Sequence, residues 1–140
     1  MSSRIPARLA RNVRERAGDV CEYCLLPQYS QEATFHIDHV VPRSRGGPTT
    51  LENLALACVT CSLRKGARHR ARDPKTGRLV PLFNPRVDDW HEHFAFSKRW
   101  RVVGRSPTGR TTIAALAMNR ASLVAIRSVL VQLDRYPPAV

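Results

Sequence analysis

Aromatic residues, acidic residues and long apolar runs are all scarce in this chain of 140 residues. Aromatics make up 6%, so the hydrophobic fraction of 43% has to form a mainly aliphatic core. No apolar run approaches the roughly 20 residues of a membrane helix, and we expect no membrane partner. Acidic residues number 11 against 23 lysines and arginines, which gives a net charge of +12. This balance favours a nucleic acid as the partner, rather than a small-molecule substrate.

Unpaired cysteines are also missing, because all four cysteines lie in two C-x-x-C pairs, Cys21/Cys24 and Cys58/Cys61. Four thiolates in two pairs are the usual ligand set of a structural zinc ion. Disulfides are the alternative. However, no apolar signal segment precedes Cys21, and paired C-x-x-C motifs in an intracellular chain favour metal. We therefore expect a structural Zn²⁺ site in a cytoplasmic protein.

Residues 34–41, between the two cysteine pairs, alternate in polarity and predict a β-strand. On a strand His36 and Asp38 face one side and His39 faces the other, unless the strand bends there. A carboxylate is a suitable ligand for Mg²⁺ or Mn²⁺, and a neutral imidazole can accept a proton from water. Metal-dependent hydrolysis of a phosphodiester uses both a metal ion, which stabilises charge, and a base, which activates water.

Four segments can be distinguished along the chain. They are a helix over about 6–17, a cysteine-bounded module over about 18–66, a basic connector over about 67–82 and a C-terminal part over about 83–135. Pro6 and Gly18 suit the two ends of the first helix. We expect its basic face to be free to contact phosphates; that face comprises Arg4, Arg8, Arg11 and Arg14.

Within the module, Thr50 can cap a short helix over residues 51–57, and a second helix begins at Ser62. In the C-terminal part, residues 94–102 alternate in the manner of a strand. Residues 111–133 predict a helix, with an interruption near Asn119.

The ordered motifs resemble the HNH endonuclease family, whose fold is the ββα-metal motif. They cover about a third of the chain, and as a set they are specific. The matching segments are Cys21-x-x-Cys24, residues 38–47, Glu52-Asn53-Leu54 and Cys58-x-x-Cys61 followed by residues 62–66. Residues 82–120 also look like the extension of small stand-alone bacterial proteins of this family.

The resemblance implies a fold and a division of the chain. We expect an α+β protein with a ββα-metal core on a zinc clip, an N-terminal helix and a C-terminal extension of strand and helix. Residues 1–82 would form the nuclease core with its basic helix and connector. Residues 83–140 would be an extension packed on the same domain.

The resemblance also implies a role for each matching residue. Asp38 would hold the catalytic divalent ion, Mg²⁺ or another such as Mn²⁺ or Ni²⁺, and His39 would activate water. Asn53 would hold the loop that carries His39. The structural zinc would be bound by Cys21, Cys24, Cys58 and Cys61.

Ser62 is a departure from the family pattern, because this position usually supplies a second metal ligand as His or Asn. A hydroxyl is a poorer ligand, and His36 is an alternative one on the same side of the strand as Asp38. Two functions of different kinds follow. One is metal-dependent cleavage of nucleic acid, with DNA favoured over RNA, and the other is a non-catalytic zinc-stapled binding module that has lost activity through Ser62.

A cluster of basic residues near the motif predicts a phosphate-binding track, which gives affinity without sequence choice. Its members are Arg43, Arg45, Arg64, Lys65, Arg68 and Arg70. The net charge of +12 argues against a further alternative, a zinc-stapled domain that binds another protein.

Overall fold

The computed structural model describes residues 5–138 and has a mixed α+β architecture, which confirms the predicted fold class. The helices are α1 (Ala7–Ala17), α2 (Val59–Lys65), α3 (Trp90–His93), α4 (Pro107–Leu116) and α5 (Ala121–Gln132). The strands form three antiparallel hairpins: β1 (His36–His39) with β2 (Leu54–Ala57), β3 (Arg70–Arg72) with β4 (Leu79–Pro81), and β5 (Phe94–Phe96) with β6 (Val102–Gly104).

Helix α1 begins after Pro6 and ends at Gly18, which adopts the left-handed conformation that favours glycine. Val13 is buried, and Ile5 and Leu9 are half-buried on the same face, so this helix packs on the hydrophobic core. Its contacts run along β2, one wall of the central hairpin.

The basic face of α1 is only partly free. Arg8 and Arg11 are exposed, whereas the Arg14 guanidinium donates a hydrogen bond to the Phe35 carbonyl at 2.9 Å. Arg4 lies outside the described residues. Arg14 therefore fastens α1 to the chain just before β1.

The β1–β2 hairpin is the centre of the cysteine-bounded module. Asp38 is paired with Ala55 and His36 with Ala57, so small side chains stand opposite both polar ones. Paired residues share a face of a hairpin, which leaves room for α2 above His36 and Asp38. Helix α2 packs against both strands of this hairpin. This arrangement is the ββα order of the predicted core.

The predicted helix over residues 51–57 is wrong beyond its first turn. Leu51–Asn53 form a 3₁₀ turn, and residues 54–57 form β2, all four of them buried. Leucine and alanine have high helix propensity, but pairing with β1 and burial on both faces determine the outcome. β1 is also shorter than the predicted strand over 34–41.

Loop 40–53 is closed by the side chain of Asn53, which is buried. Its Oδ1 accepts a hydrogen bond from the Val41 amide at 2.9 Å, and its Nδ2 donates to the carbonyls of Val41 and Pro48 at 3.0 and 2.9 Å. Gly47 packs so closely here that a Cβ would stand 1.7 Å from the Val41 carbonyl oxygen. The loop that follows His39 is thereby held at its base.

The C-terminal extension is made of α3, the β5–β6 hairpin, α4 and α5. The predicted strand over 94–102 is in fact two strands joined by a turn, and Trp100 in that turn has a φ of 61°. The helical region is interrupted at residues 117–120, as predicted near Asn119. Helix α4 contacts α2, β3, β4 and β6.

Within the described residues, no single helix is long and apolar enough to cross a membrane. Helices α4 and α5 pass that test only as a pair, and they are bent by 106° at the break between them.

Gly47→Ala should lower the free energy of unfolding by about 2 kcal/mol or more, because the added methyl group overlaps backbone that cannot move without breaking the Asn53 bonds. Ser44→Ala, at an exposed position of the same loop, is the matched control and should change it by less than about 0.5 kcal/mol. Urea unfolding measures both. A free energy of unfolding for Gly47→Ala equal to that of the wild type would mean that the loop is not tightly packed at Gly47.

Candidate active site and metal centre

The four cysteines meet at one buried point between the loop of residues 21–24 and the start of α2. Their Sγ atoms all lie within 4.8 Å of one another, and those of Cys24 and Cys58 are 3.7 Å apart. Four sulfurs around a tetrahedral zinc are about 3.8 Å apart, given Zn–S bonds of about 2.3 Å. A disulfide needs about 2.05 Å, and all four thiols are free. The geometry suits a structural metal such as zinc.

Backbone amides complete this arrangement. The Cys24 amide donates to the Cys21 sulfur, and the Cys61 amide donates to the Cys58 sulfur, each at 3.4 Å. The second bond also caps the N-terminus of α2. Each C-x-x-C pair is therefore a turn that points two sulfurs the same way.

Hydrogen bonds among the buried thiols shift the pKa values of Cys24, Cys58 and Cys61 in different directions. Hydrogen bonds to Cys21 and Cys58 raise the pKa of both Cys24 and Cys61 well above the usual value, and burial adds to this effect. Hydrogen bonds to Cys21, Cys24 and Cys61 lower the pKa of Cys58. Four buried thiolates would repel one another, and a divalent cation removes that conflict.

Asp38 is held from two sides. The Tyr23 hydroxyl donates to Asp38 Oδ2 at 2.7 Å, and Lys65 Nζ lies 3.1 Å from the same oxygen and 3.4 Å from Oδ1. Lys65 Nζ also donates to the His39 carbonyl at 2.9 Å. Tyr23 belongs to the first cysteine turn and Lys65 to α2, so both halves of the cysteine cluster meet at this carboxylate.

Burial dominates the acidity of Asp38, whose side chain is 8% exposed. Loss of solvent raises the pKa of Asp38 above its usual value, although Lys65 and Tyr23 oppose the effect. Burial also raises the pKa of Tyr23, which therefore stays a hydrogen-bond donor. Oδ2 has two donors and Oδ1 only the longer contact, so Oδ1 is the oxygen with more capacity for a further ligand.

Asp38 and His39 line one cavity of about 300 Å³, because β1 ends at His39 and the chain turns there. Pro42, Arg43 and Ser44 form a second side of the cavity. Gly66 and Ala67, just after α2, form a third. Asp38 and His39 thus both line this cavity, although adjacent residues of a strand point to opposite faces.

The His39 ring is fixed by Thr49, whose Oγ1 lies 2.8 Å from Nε2. Partial burial lowers the pKa of His39, and Arg43 and Lys65 add to the effect while Asp38 opposes it. The neutral ring is thereby favoured near neutral pH. A neutral imidazole has one nitrogen that can accept a proton.

His36 and Ser62 contact each other, with His36 Nδ1 2.8 Å from Ser62 Oγ. Ser62 and Lys65 are three residues apart on α2 and lie on the side that faces β1. Neither His36 nor Ser62 lines the cavity of Asp38 and His39. The role of either residue as a metal ligand stays a prediction.

Five residues of the predicted basic track are exposed: Arg43, Arg45, Arg64, Arg68 and Arg70. Lys65 departs from that prediction, because its side chain is 1% exposed and its ammonium is bound to Asp38 and His39. It is not available to a phosphate in this structure. The spacing holds a signal for this outcome, since Lys65 lies four residues after the buried Cys61 and so shares its helix face.

Tyr23 and Thr49 were not identified from the sequence as site residues. The C-x-x-C spacing does not determine the environment of a tyrosine inside the turn. Only the approach of this turn to β1 places its hydroxyl on Asp38. Thr49 lies within the loop that Asn53 closes, and no short-range pattern predicts its contact with His39.

Comparison with protein families finds that residues 21–68, about a third of the chain, match the model described as HNH endonuclease. This confirms the resemblance drawn from the motifs. Comparison with curated proteins and with solved structures found no match. The family match indicates a nuclease or other nucleic-acid-related function in general terms.

Lys65→Met should lower the free energy of unfolding by about 3–5 kcal/mol, because it leaves the Asp38 carboxylate buried without its counter-charge. Adding Asp38→Asn removes the stranded charge and should restore most of the loss. Urea unfolding of the metal-replete proteins measures the free energy of unfolding of the wild type, of Lys65→Met and of the double variant. Lys75→Met, an exposed lysine, is the control and should have little effect. A double variant no more stable than Lys65→Met alone would contradict this account of the pair.

Proposed function

We propose that the chain, whose residues 21–68 match the HNH endonuclease family, hydrolyses phosphodiester bonds in double-stranded DNA with the help of a divalent metal ion. The observation that carries the proposal is the shared cavity of Asp38 and His39. The Asp38 carboxylate is held by two donors, and the His39 imidazole is bonded to a hydroxyl. Binding alone requires neither arrangement.

Asp38 is the residue that would hold the catalytic metal, Mg²⁺ or a similar divalent ion. Tyr23 and Lys65 fix the carboxylate through Oδ2, as outer partners orient a ligand in metal sites, and Oδ1 is left for the ion. His36 and Ser62, which contact each other on the α2 side of the hairpin, are the further candidates. When bound, the ion would stabilise negative charge on the phosphate and on the leaving oxygen.

His39 is the residue that would take a proton from the attacking water. If Nε2 carries the hydrogen and donates to Thr49, then Nδ1 keeps its lone pair. Nδ1 has no hydrogen-bond partner within residues 5–138. Asn53 acts at a distance as a positioning residue, because it ties Val41 and Pro48 together on either side of the loop after His39.

The exposed arginines around the cavity would supply affinity for the DNA backbone. Arg43 lines the cavity itself, and Arg45 follows in the same turn. Contacts of this kind bind phosphates irrespective of sequence. With a net charge of +12, long-range attraction would bring DNA to this surface before any specific contact forms.

A non-catalytic DNA-binding module is the second candidate, and the contact between Ser62 and His36 favours it. Ser62 stands where the family usually supplies a metal ligand, and its hydroxyl is bonded to a histidine instead. The two candidates differ in cleavage, not in binding. Cleavage of plasmid with Mg²⁺ or Mn²⁺ therefore decides between them.

His39→Ala should abolish plasmid cleavage and leave duplex affinity within about threefold, since affinity comes from the basic surface. His91→Ala removes an exposed histidine elsewhere and should cut as the wild type does. Gel assays of supercoiled plasmid and anisotropy of a labelled duplex measure the two properties. Wild-type cleavage by His39→Ala would show that another group is the base.

Zinc should be present at one ion per chain in freshly purified, reduced protein, held by the four cysteines. Cys58→Ser should lose the ion and partly unfold the protein, because a small core cannot replace the clip. Metal analysis and circular dichroism measure both effects. Ser44→Ala is the control and should keep the zinc. A wild-type protein that holds no zinc yet is fully folded would refute a structural zinc clip.

A further inference from the structure

The β3–β4 hairpin presents an exposed basic face. Arg70 and Arg72 lie on its outer side, opposite Pro81 and Leu79 in the other strand, and all four are exposed. Ala71 and Val80 form the inner side and are half-buried, and both strands contact α4. The hairpin therefore has one face packed on the protein and one face turned to solvent.

A buried aspartate fixes the turn of this hairpin. Asp73 is 1% exposed, and its carboxylate accepts hydrogen bonds from the Lys75 amide at 3.0 Å and the Thr76 hydroxyl at 3.2 Å. Arg110 of α4 pairs with it at 2.8 Å. Hydrogen bonds from Arg110 lower the pKa of Asp73 to about 2, so the ion pair is intact at any physiological pH and is lost only in strong acid. The turn is thus tied to the protein body.

The charges that remain exposed on the hairpin are all positive. They belong to Arg70, Arg72, Lys75 and Arg78. The one acidic residue between positions 68 and 82 is Asp73, which is buried and paired. Arg70 and Arg72 are two residues apart on a strand, or about 7 Å, which is similar to the spacing of successive phosphates on a DNA strand.

A cavity of about 360 Å³ joins this hairpin to the active-site loop. It is lined by Arg45, Arg68, His69, Arg70 and Leu79, with no acidic residue among them. Arg45 follows directly after Arg43 and Ser44, which line the cavity of Asp38 and His39. Basic side chains therefore line both cavities between the candidate active site and the hairpin.

We infer that the β3–β4 hairpin is a second binding element for duplex DNA, which grips the phosphate backbone to one side of the cleavage point. The path leads from Asp38 and His39 through the arginine-lined cavity to Arg72, Lys75 and Arg78. A two-stranded ribbon held rigid by Asp73 and Arg110 pays little entropy on binding. The inference rests on the proposed function, because it takes the substrate to be DNA at this site.

The test compares two triple variants in a His39→Ala background, so that the duplex is not cut. One variant carries Arg72→Gln, Lys75→Gln and Arg78→Gln. The control carries Lys98→Gln, Arg99→Gln and Arg101→Gln, which removes the same charge from the β5–β6 hairpin, whose residues line neither cavity. Fluorescence anisotropy of a labelled duplex measures Kd at several salt concentrations from about 50 to about 200 mM.

The hairpin variant should bind at least about tenfold more weakly than the control, and its salt dependence should flatten by about 2.7 in log–log slope for three lost contacts. Equal affinities and slopes for the two variants would overturn the inference. If the hairpin variant binds more weakly but the wild type never cleaves DNA, the hairpin inference stands and the proposed nuclease function is wrong. If the wild type cleaves DNA but the two triple variants bind it equally well, the nuclease function stands and the hairpin inference is wrong.

Asp73→Asn is a further test, in which net charge and loss of the rigid turn predict opposite changes in DNA affinity. It makes the protein more positive, so general attraction predicts tighter binding, whereas loss of the rigid turn predicts weaker binding. We expect affinity to fall about threefold or more with most of the thermal stability kept. An affinity equal to or higher than that of the His39→Ala protein would overturn the anchoring role of Asp73. The triple variants test the basic surface independently of Asp73.

Discussion

The meeting of four buried thiols is the interaction on which the rest of this structure depends. It joins the loop of residues 21–24 to the first turn of α2, two segments that are more than thirty positions apart in the chain. Each segment then sends one side chain to Asp38: Tyr23 from the loop and Lys65 from the helix. A metal ion bound by the thiols would therefore stabilise both the fold and the position of the carboxylate that the proposed chemistry uses.

The burial of Asp38 is costly, and its surroundings explain how it is tolerated. Desolvation raises the pKa of this carboxyl, while one ammonium and one hydroxyl hold its charged form. A site that fixes its charged groups before substrate arrives need not reorganise them during the reaction. His39 is held in the same way, since Thr49 binds its ring and Lys65 binds its carbonyl.

Sequence patterns predicted most of the core, because metal ligands and the HNH motif depend on short spacings. They misjudged residues 54–57, where Leu-Ala-Leu-Ala has the propensity of a helix but is paired with β1 as a strand. They also placed Lys65 on the DNA-binding surface, whereas it is buried against Asp38. Tyr23 and Thr49 were missed because their contacts depend on how separate segments meet, which no local spacing encodes. The division of the chain at residue 82 stays a prediction.

The central claim is that the cavity of Asp38 and His39 is a metal-dependent nuclease site, and the wild-type protein tests it most directly. Zinc-replete protein should be incubated with supercoiled plasmid in Mg²⁺ or Mn²⁺, with and without a chelator of the added ion. The account predicts nicked or linear product that disappears with the chelator and returns when excess divalent ion is added. Tight DNA binding with no cleavage at any metal concentration would contradict it.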